Sequence, residues 1–482
     1  MDARGAPCPF GMRHIRESGN SVWPMATPPD SAPAAPQAPA APADPLAIIR
    51  SRSYIVLLVL GAIIGVPVAA IAYFFLEAVA RVQKEIFTDL PNSLGFHGAP
   101  LWWPLPWLTL CGLLVALAIR FLPGTGGHEP SEGFKSGGPV PPIELFGIVA
   151  AAFATLSLGA VVGPEAPLIA IGSGLGVLGV HLFKRDAPPM AMVVIGVAGS
   201  FAAIATLLGS PLVGAFLLME MAGLGGPMME LVLLPGLLAA GVGALIFVGL
   251  DNLTGFGTFS LNIGTIPHVG SPTGAEFLWA IVIGVASAIA ATAIFKLASL
   301  LRPLIQQRRI LLTPVAGLSV GALAVAFAAG TTHSSSEVLF SGQSALPDLV
   351  QQAAGWSVGA LLLLMLCKGL AYAISLSGFR GGPIFPSMFI GAAGGIALSH
   401  VGGLPVVAGA AMGVGAMVAG ALKMPMTAVL LPSLLFLSDA VDLIPVIIVA
   451  VVVSYVVAIW IKPSEPAAAS PAAPQPAGAT SG

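Results

Sequence analysis

The chain has 482 residues, of which 56% are hydrophobic and 8% are charged, and its formal net charge is -2. An ordinary soluble domain carries roughly 25% charged residues, so this composition excludes a soluble globular protein and predicts a polytopic membrane protein. The net charge says nothing about a partner, and because the sequence has no basic patch, we expect no nucleic acid to bind. The three cysteines are too few and too dispersed for a disulfide framework or a metal cluster, and no motif indicates a cofactor.

The two ends of the chain differ in composition from the rest. Residues 1–45 are rich in Pro, Ala and small polar residues, which predicts a disordered, partly polyproline arm. Residues 463–482 have a similar composition and predict a disordered tail. Met25 is a second candidate for the native start. The sequence therefore predicts one membrane domain over residues 46–462, with no folded regulatory domain after it.

Apolar runs follow one another through the predicted membrane domain. Some reach the ~20 residues that a tilted membrane span needs, whereas others are shorter or interrupted by Gly and Pro. Residues 383–399 and 425–437 are predicted to be half-membrane helices, which are typical of transporters. The runs cover residues 54–80, 101–121, 145–183, 190–222, 228–250, 275–301, 311–329, 357–379, 383–399, 405–437 and 443–461.

The basic residues predict the orientation of the chain. Cytoplasmic loops of membrane proteins carry an excess of Lys and Arg. If most of the basic clusters lie in the cytoplasm, both termini lie there as well. Arg81 and Lys84 then lie on the opposite side of the membrane, where this excess of basic residues is not expected. The clusters on the cytoplasmic side are Arg50 and Arg52, Lys184 and Arg185, Arg302, Arg308 and Arg309, and Lys462.

One motif occurs twice and divides the membrane domain into two related halves. The pattern G-P-x-x-P-x-x-x-I-G-x-x-x-G starts at Gly163 and again at Gly382, an offset of 219. A second element starts at Pro211 and again at Pro425, an offset of 214. The sequence therefore predicts two homologous repeats, about 50–250 and 275–461. A duplicated Gly/Pro-broken element indicates a transport site between the repeats.

Only the first copy of the motif carries an acid. Glu165 lies in a long apolar passage, where an ionisable group is costly and marks function by default, and Ile384 takes its place in the second copy. Gly163-Pro164 and Gly382-Pro383 are predicted helix starts, whose free amides and positive dipole ends stabilise anions. The glycine-rich turn Pro123–Glu129, with the Thr125 hydroxyl, is a third candidate anion site.

Together these motifs resemble, in order and spacing, the chloride channel (CLC) family of anion channels and anion/proton exchangers. The resemblance covers about residues 46–462 and implies a divergent, prokaryotic-type member. It implies an all-α fold of two inverted repeats with broken helices, and a homodimer in the lipid bilayer with one pore per subunit. An inner membrane of a prokaryote is the expected location. The matching segments are Pro123–Gly133, Gly163–Pro167, Pro211–Glu220 and Gly381–Pro386.

The resemblance also implies roles for individual residues. Thr125 stands at the family's inner anion-binding serine, and Glu165 at the glutamate that gates the pore and can carry a proton. Ile384 falls at the family's motif phenylalanine, with Phe385 one place late. The anion-binding backbone is expected at the residues flanking these side chains, namely Gly124, Gly126, Gly163, Ala166 and Gly382.

Other family positions have changed. Glu220 and Met221 stand where exchangers have two adjacent glutamates, and Met221, at the internal proton-acceptor position, cannot carry a proton. Pro383 removes an amide that the family would direct at the anion. Ala440 stands at the family's pore tyrosine, and no tyrosine is near it in the sequence, since Tyr372 and Tyr455 are far from that position.

Three functions are compatible with these residues. The first is chloride transport that is channel-like or weakly proton-coupled, with Glu165 as the gate. The alternative is a chloride/proton antiporter that uses Glu165 and Glu220. A remote alternative is an intramembrane hydrolase, because Gly317–Gly321 fits the nucleophile pattern G-x-S-x-G around Ser319. Since that serine lies in a continuous apolar run, we expect a transport protein rather than an enzyme.

Overall fold

The structure, a computed structural model, describes residues 49–132, 138–223, 227–256, 263–264 and 268–461. The predicted arm over residues 1–45 and the predicted tail over residues 463–482 lie outside these ranges. The described part of the chain is helical and contains no strand. Within it, one residue pair forms an isolated antiparallel bridge.

Fourteen helices of at least ten residues make up the described fold, seven in each half. Those of the first half are α1 Arg52–Lys84, α2 Pro104–Phe121, α3 Leu145–Ser157, α4 Glu165–Phe183, α5 Pro189–Leu208, α6 Pro211–Ala222 and α7 Pro227–Thr254. Those of the second half are α8 Gly274–Gln307, α9 Arg309–Gly330, α10 Val358–Gly378, α11 Ile384–Ser399, α12 Val406–Leu422, α13 Pro425–Leu435 and α14 Ala440–Ile461. Short helical segments lie between them at Glu85–Asp89, Leu90–Ser93, Pro123–Gly126, Pro130–Glu132, Pro142–Glu144, Ser335–Glu337, Leu346–Gln351, Ala353–Gly355 and Leu437–Asp439.

The helix ends follow local chemistry. Ser210 is the N-cap of α6, and its hydroxyl accepts a hydrogen bond from the Val213 N–H at 3.4 Å. Pro211 then occupies the first turn, where its missing N–H is not needed. The same helix ends at Gly223 in the left-handed conformation, which glycine adopts without steric cost. The predicted break between α5 and α6 is thus encoded by the Ser-Pro pair.

Nine described helices are long and apolar enough to cross a membrane. Large apolar side chains are exposed on their outer faces, as Ile55, Val59 and Ile63 are on α1, which is the arrangement expected where a helix meets lipid. Five further apolar helices are shorter. Among them, α11 has 16 residues and α13 has 11, so the two predicted half-membrane helices are confirmed. The chain is a multi-pass integral membrane protein.

The predicted repeat is visible in how the helices pack. Helices α4 and α5 cross where a Cβ on Gly172 would collide with the Gly199 backbone. Helices α11 and α12 cross in the same way at Gly391 and Gly413. Gly172 and Gly391 are related by the first offset found in the sequence, and Gly199 and Gly413 by the second. Small residues allow such close helix approach, so the two halves share their packing as well as their motifs.

The two halves meet at the repeated motif. Gly163 donates its N–H to the Gly382 carbonyl at 2.7 Å, and Gly382 donates to the Gly163 carbonyl at 2.6 Å. The bridge is antiparallel, and its two partners are equivalent residues of the two repeats. Equivalent residues that pair in opposite chain directions are related by a local two-fold axis. The predicted inverted topology of the repeats is therefore confirmed, and the motif lies on the axis between them.

Candidate functional site

Glu165 is the first residue of α4 and lies directly after the bridge between the repeats. Its side chain is buried, with 0% exposure. Its Oε1 accepts a hydrogen bond from the Phe385 N–H at 2.9 Å, and the N–H groups of Ile384 and of Glu165 itself also face the carboxyl group. The carboxyl group therefore lies between the N-terminal ends of α4 and α11, where free amides and helix dipoles stabilise negative charge.

The helix starts differ slightly from the prediction. Pro164 and Pro383 are the N-cap residues of α4 and α11, rather than residues of their first turns. The helices begin one residue later, at Glu165 and Ile384. As expected, Pro383 offers no amide to the site, and the hydrogen bond to Glu165 comes instead from Phe385.

Two glycines make room for the carboxyl group. A Cβ on Gly163 or on Gly382 would overlap the Glu165 carboxyl oxygens. The second oxygen, Oε2, has no hydrogen-bond partner among the described residues. Both bridge residues must therefore be glycine for the carboxyl group to lie against the two backbones, and one of its oxygens remains available to bind a proton.

Two cavities are lined by neighbours of Glu165 in the chain. The first, here called the Thr125 cavity, has a volume of about 390 Å³ and is lined by Thr125 with Gly124 and Gly126, by Ala166, and by Met221. The second, here called the Phe340 cavity, has a volume of about 240 Å³. Its lining includes Val162, Pro164, Phe340 and Ser341. Ala166 and Pro164 flank Glu165 in the chain, so the residues on its two sides line different cavities.

The Thr125 loop has an unusual backbone. Gly124, Thr125, Gly126 and Gly127 all have positive φ, at 83°, 48°, 73° and 86°. The left-handed region is costly for a β-branched residue such as threonine. The loop is held from outside, because the Arg380 Nη2 donates to the Thr125 carbonyl at 3.3 Å. Thr125 is exposed on the cavity, so its hydroxyl can meet a ligand there.

Arg380 belongs to this site, although it is not among the residues predicted from the sequence. Its side chain is 4% exposed and lines the Thr125 cavity. Its Nη2 lies 3.2 Å from the Glu129 carboxylate, which also pairs with Arg302 and with the Arg309 Nη2 at 3.3 Å. Burial raises the pKa of Glu129, but the charges of Arg380 and Arg302 outweigh it and hold that pKa below its ordinary value. The sequence feature that could have identified Arg380 is its position as a single arginine in an apolar segment, where a charged residue indicates function.

Glu220 and Met221 lie at the end of α6 and have different surroundings. The Glu220 Oε1 accepts from the Met426 N–H at 2.7 Å, and its Oε2 accepts from the Thr427 N–H at 2.7 Å and from the Thr427 hydroxyl at 2.6 Å. These donors belong to the first turn of α13, so Glu220 caps that helix. Met221 instead lines the Thr125 cavity, where a proton acceptor was expected from the family pattern.

Tyr372, which is far from Ala440 in the sequence, lies beside the candidate site. Its hydroxyl is buried in the described fold, donates to the Pro383 carbonyl at 2.8 Å and lies 3.2 Å from the Ser387 hydroxyl. Tyr372 on α10 therefore supports the N-terminal end of α11, which holds Glu165. Ala440, the position of the missing family tyrosine, begins α14. No sequence pattern indicates the contact of Tyr372 with Pro383, because it requires the chain to turn back between α10 and α11.

Ser319, the serine of the hydrolase pattern, lies in the middle of α9. Its hydroxyl donates to the Val315 carbonyl one turn earlier, at 2.9 Å. A G-x-S-x-G nucleophile requires a sharp turn from a strand into a helix. The pattern here is part of a regular helix and gives no support to a hydrolase.

The comparisons with known proteins agree with this architecture. The sequence profile of the family described as "Voltage gated chloride channel" matches residues 43–229 and 111–459. A protein named YfeO from Escherichia coli O17:K52:H18 (strain UMN026 / ExPEC), which its name assigns to ion transport, is 31% identical over 365 residues. That match covers 74% of this chain and 82% of the relative.

Solved structures show the same fold. The crystal structure of a slow cyanobacterial Cl-/H+ antiporter superposes with a TM-score of 0.68 at 20% identity and covers 84% of this chain and 94% of the other. A CLC-type fluoride/proton antiporter superposes with a TM-score of 0.62 at 19% identity, over 84% of this chain and 95% of the other. The family profile spans nearly the whole described fold. The chain therefore belongs to the voltage gated chloride channel family, whose function is anion transport across membranes.

Proposed function

We propose that this chain carries chloride and similar small anions through a pathway gated by Glu165, and that transport is channel-like or weakly coupled to protons. The observation that supports this proposal is the position of the Glu165 carboxyl group. It is buried and accepts the Phe385 N–H, and the chain neighbours of Glu165 line the Thr125 cavity on one side and the Phe340 cavity on the other. We infer that the carboxyl group separates the two cavities. No metal or cofactor is needed for such a pathway.

The gate would work by competition for backbone amides. A carboxylate is an anion, so the amides of Ile384 and Phe385 that face it can also bind chloride. While Glu165 occupies this position, the two cavities are separated and the pathway is closed. If the side chain rotates away or takes up a proton, an anion can replace it on the same amides. Thr125, on the cavity wall, is then the next binding group along the pathway.

The residues at the end of α6 favour weak coupling or none. Met221 lines the Thr125 cavity but has no titratable group. Both Glu220 oxygens are occupied by donors of the first turn of α13. A proton entering along the Thr125 cavity therefore meets no free carboxyl group at the end of α6. This arrangement supports the channel-like alternative.

A chloride/proton antiporter is the second candidate, and one observation favours it. Two of the solved structures that share the fold are named as Cl-/H+ and fluoride/proton antiporters. In this alternative Glu220 would have to release the α13 amides in order to pass a proton towards Glu165. The transported anion would then move against the proton.

For assembly and location, we propose a homodimer in the inner membrane of a prokaryote, with both termini in the cytoplasm. The proposed membrane domain covers residues 46–462, with repeats at about 50–250 and 275–461. The family resemblance supports the dimer, and the distribution of Lys and Arg supports the orientation. Labelling of single cysteines at positions 185 and 308 from either side of the membrane tests the orientation, and cross-linking in membranes tests the dimer.

The test of transport uses purified protein in liposomes under a chloride gradient, with chloride efflux and external pH recorded together. We expect wild-type flux to depend on pH, and Glu165→Gln to keep the flux but lose this dependence, because an amide cannot exchange a proton. Glu276→Gln is the matched control, since Glu276 is another buried glutamate and lines neither the Thr125 cavity nor the Phe340 cavity.

Three results would change the proposal. Loss of flux in correctly folded Glu165→Gln would contradict the gate. Proton movement against its gradient in the wild type would establish the antiporter. Flux of fluoride in place of chloride would change the assigned anion and leave the pathway intact.

A further inference from the structure

The wall of the Thr125 cavity contains a buried guanidinium group with an unused donor. Arg380 lies between α10 and the Gly382 bridge, and its side chain is 4% exposed. Its Nε has no hydrogen-bond partner among the described residues. The Nε lies 3.3 Å from the position that a Cβ on Gly126 would take, beside the Thr125 loop. A buried donor without an acceptor is costly. The Nε atom itself is closed to solvent, whereas Arg380 as a residue lines the Thr125 cavity, so a small rotation of the side chain would bring this N–H to a ligand there.

Three guanidinium groups contact one carboxylate beside Arg380. The Glu129 carboxylate pairs with Arg380, Arg302 and Arg309, and it accepts a further hydrogen bond from Gln306 at 2.7 Å. Three guanidinium groups thus share one carboxylate. Buried charges are stable only when they are compensated, and an anion in the cavity would supply part of that compensation.

Two other titratable side chains line the same cavity, Glu144 and His128. Glu144 lies next to Gly124, because a Cβ on Gly124 would collide with the Glu144 Cβ. Its negative charge opposes anion binding. The cavity is therefore lined by an acidic side chain, Glu144, and by the basic side chain of Arg380, whose buried guanidinium group lies against the Thr125 loop.

We propose that Arg380 binds the transported anion in the Thr125 cavity through its guanidinium group, whose Nε–H turns from its buried position towards the anion, together with the Thr125 hydroxyl. The inference rests on the proposed function, anion transport, and names a charged residue for it. Its ligand is a small monovalent anion such as chloride, bromide or nitrate. Glu129 holds the Nη2 side of the guanidinium group and weakens its field, so that the anion can also leave.

The experiment measures chloride binding to the purified full-length protein by isothermal titration calorimetry. We expect Arg380→Gln to raise the Kd for chloride at least about tenfold, because a buried charge next to the anion is lost. Arg380→Lys keeps the charge and should retain most of the affinity. Glu144→Gln should lower the Kd. Arg185→Gln, which removes a positive charge from an exposed loop, is the control and should bind like the wild type.

We expect Arg380→Gln to fold, because Glu129 keeps Arg302 and Arg309 as partners in that variant. If the variant nevertheless fails to fold, Glu129→Gln tests the same point with the opposite sign. It frees the guanidinium group from its carboxylate and should tighten chloride binding severalfold.

The possible outcomes separate this inference from the proposed function. Wild-type affinity in Arg380→Gln, or in Glu129→Gln where the former does not fold, overturns the inference while anion transport stands. A wild-type protein that neither binds nor carries chloride, bromide, nitrate or fluoride overturns the proposed function, and the inference with it.

Discussion

Glu220→Ala should destabilise the membrane domain, because the carboxylate caps a helix of the other repeat. Its two oxygens accept hydrogen bonds from the Met426 N–H, the Thr427 N–H and the Thr427 hydroxyl, at 2.6 to 2.7 Å. The first amides of a helix have no partners within it, and a negative charge there is also stabilised by the helix dipole. Alanine would leave these donors unpaired at the junction of α6 and α13.

The size of the effect follows from the three hydrogen bonds. One hydrogen bond to a charged group contributes about 1.5–3 kcal/mol. Three independent bonds of this kind would therefore contribute at most about 9 kcal/mol. Met426 is 52% exposed, so water can replace part of its contribution. Loss of an ordinary helix cap costs about 1 kcal/mol. We therefore expect Glu220→Ala to lower the free energy of unfolding by about 2–4 kcal/mol, and Glu220→Gln by less, since its amide oxygen still accepts.

The assay is unfolding of the purified protein by sodium dodecyl sulfate in mixed micelles, followed by tryptophan fluorescence and circular dichroism. Asp186→Ala removes an acid from an exposed loop and serves as the control, with no expected change. An unchanged free energy of unfolding in Glu220→Ala, combined with loss of proton movement in liposomes, would refute the capping argument and identify Glu220 as a proton relay.

Three further predictions concern the pathway and its supports. Gly382→Ala should displace the Glu165 carboxyl group, because the new Cβ would overlap it, and should therefore raise chloride efflux from liposomes. Gly359→Ala is the control, since a Cβ there meets nothing within 4 Å, and should leave efflux unchanged. Equal efflux in the two variants would contradict the closed gate. Thr125→Ala should change the relative permeability of chloride, nitrate and bromide more than it changes thermal stability, as measured by anion-exchange flux and thermal unfolding; the reverse pattern would mean a purely structural role. The pKa of Glu129 is lowered in the folded protein, so its ion pairs stabilise the fold fully above about pH 4.3, the pKa of an unfolded glutamate. This stabilisation is lost as the pH falls through the lower pKa of the folded state. Glu129→Gln should therefore reduce the decrease in unfolding free energy between pH 7 and pH 3, and an unchanged decrease would exclude a contribution from Glu129.

Much of the fold could be predicted because its main features repeat along the chain. The two motif copies could be recognised in the sequence by their constant offset, and their first residues, Gly163 and Gly382, pair through backbone hydrogen bonds in the structure. The half-membrane helices were predictable since Gly and Pro interrupt the apolar runs at their starts. Glu165 was predictable for a physical reason as well, because burying an ionisable side chain in an apolar segment costs free energy and therefore indicates a functional residue.

The other parts of the site depend on contacts between distant segments, which no local pattern encodes. Glu220 meets Met426, 206 residues later in the chain, so its capping role follows only from the packing of α6 against α13. Arg380 meets Glu129, 251 residues earlier. A single arginine or tyrosine has no periodicity, and its partners become known only when the two repeats are assembled.

The bridge between Gly163 and Gly382 also bears on how such a chain could have arisen. Equivalent residues pair across a two-fold axis, so two separate copies of an ancestral half could have met in the same way, as identical subunits. In such a pair a glutamate at the Glu165 position would occur twice, and the axis would bring both carboxyl groups to the same pair of glycines. Two buried like charges at that distance repel strongly. A single chain is free of this restriction, since its two copies can differ: Glu165 is the acid in the first copy and Ile384 takes its place in the second.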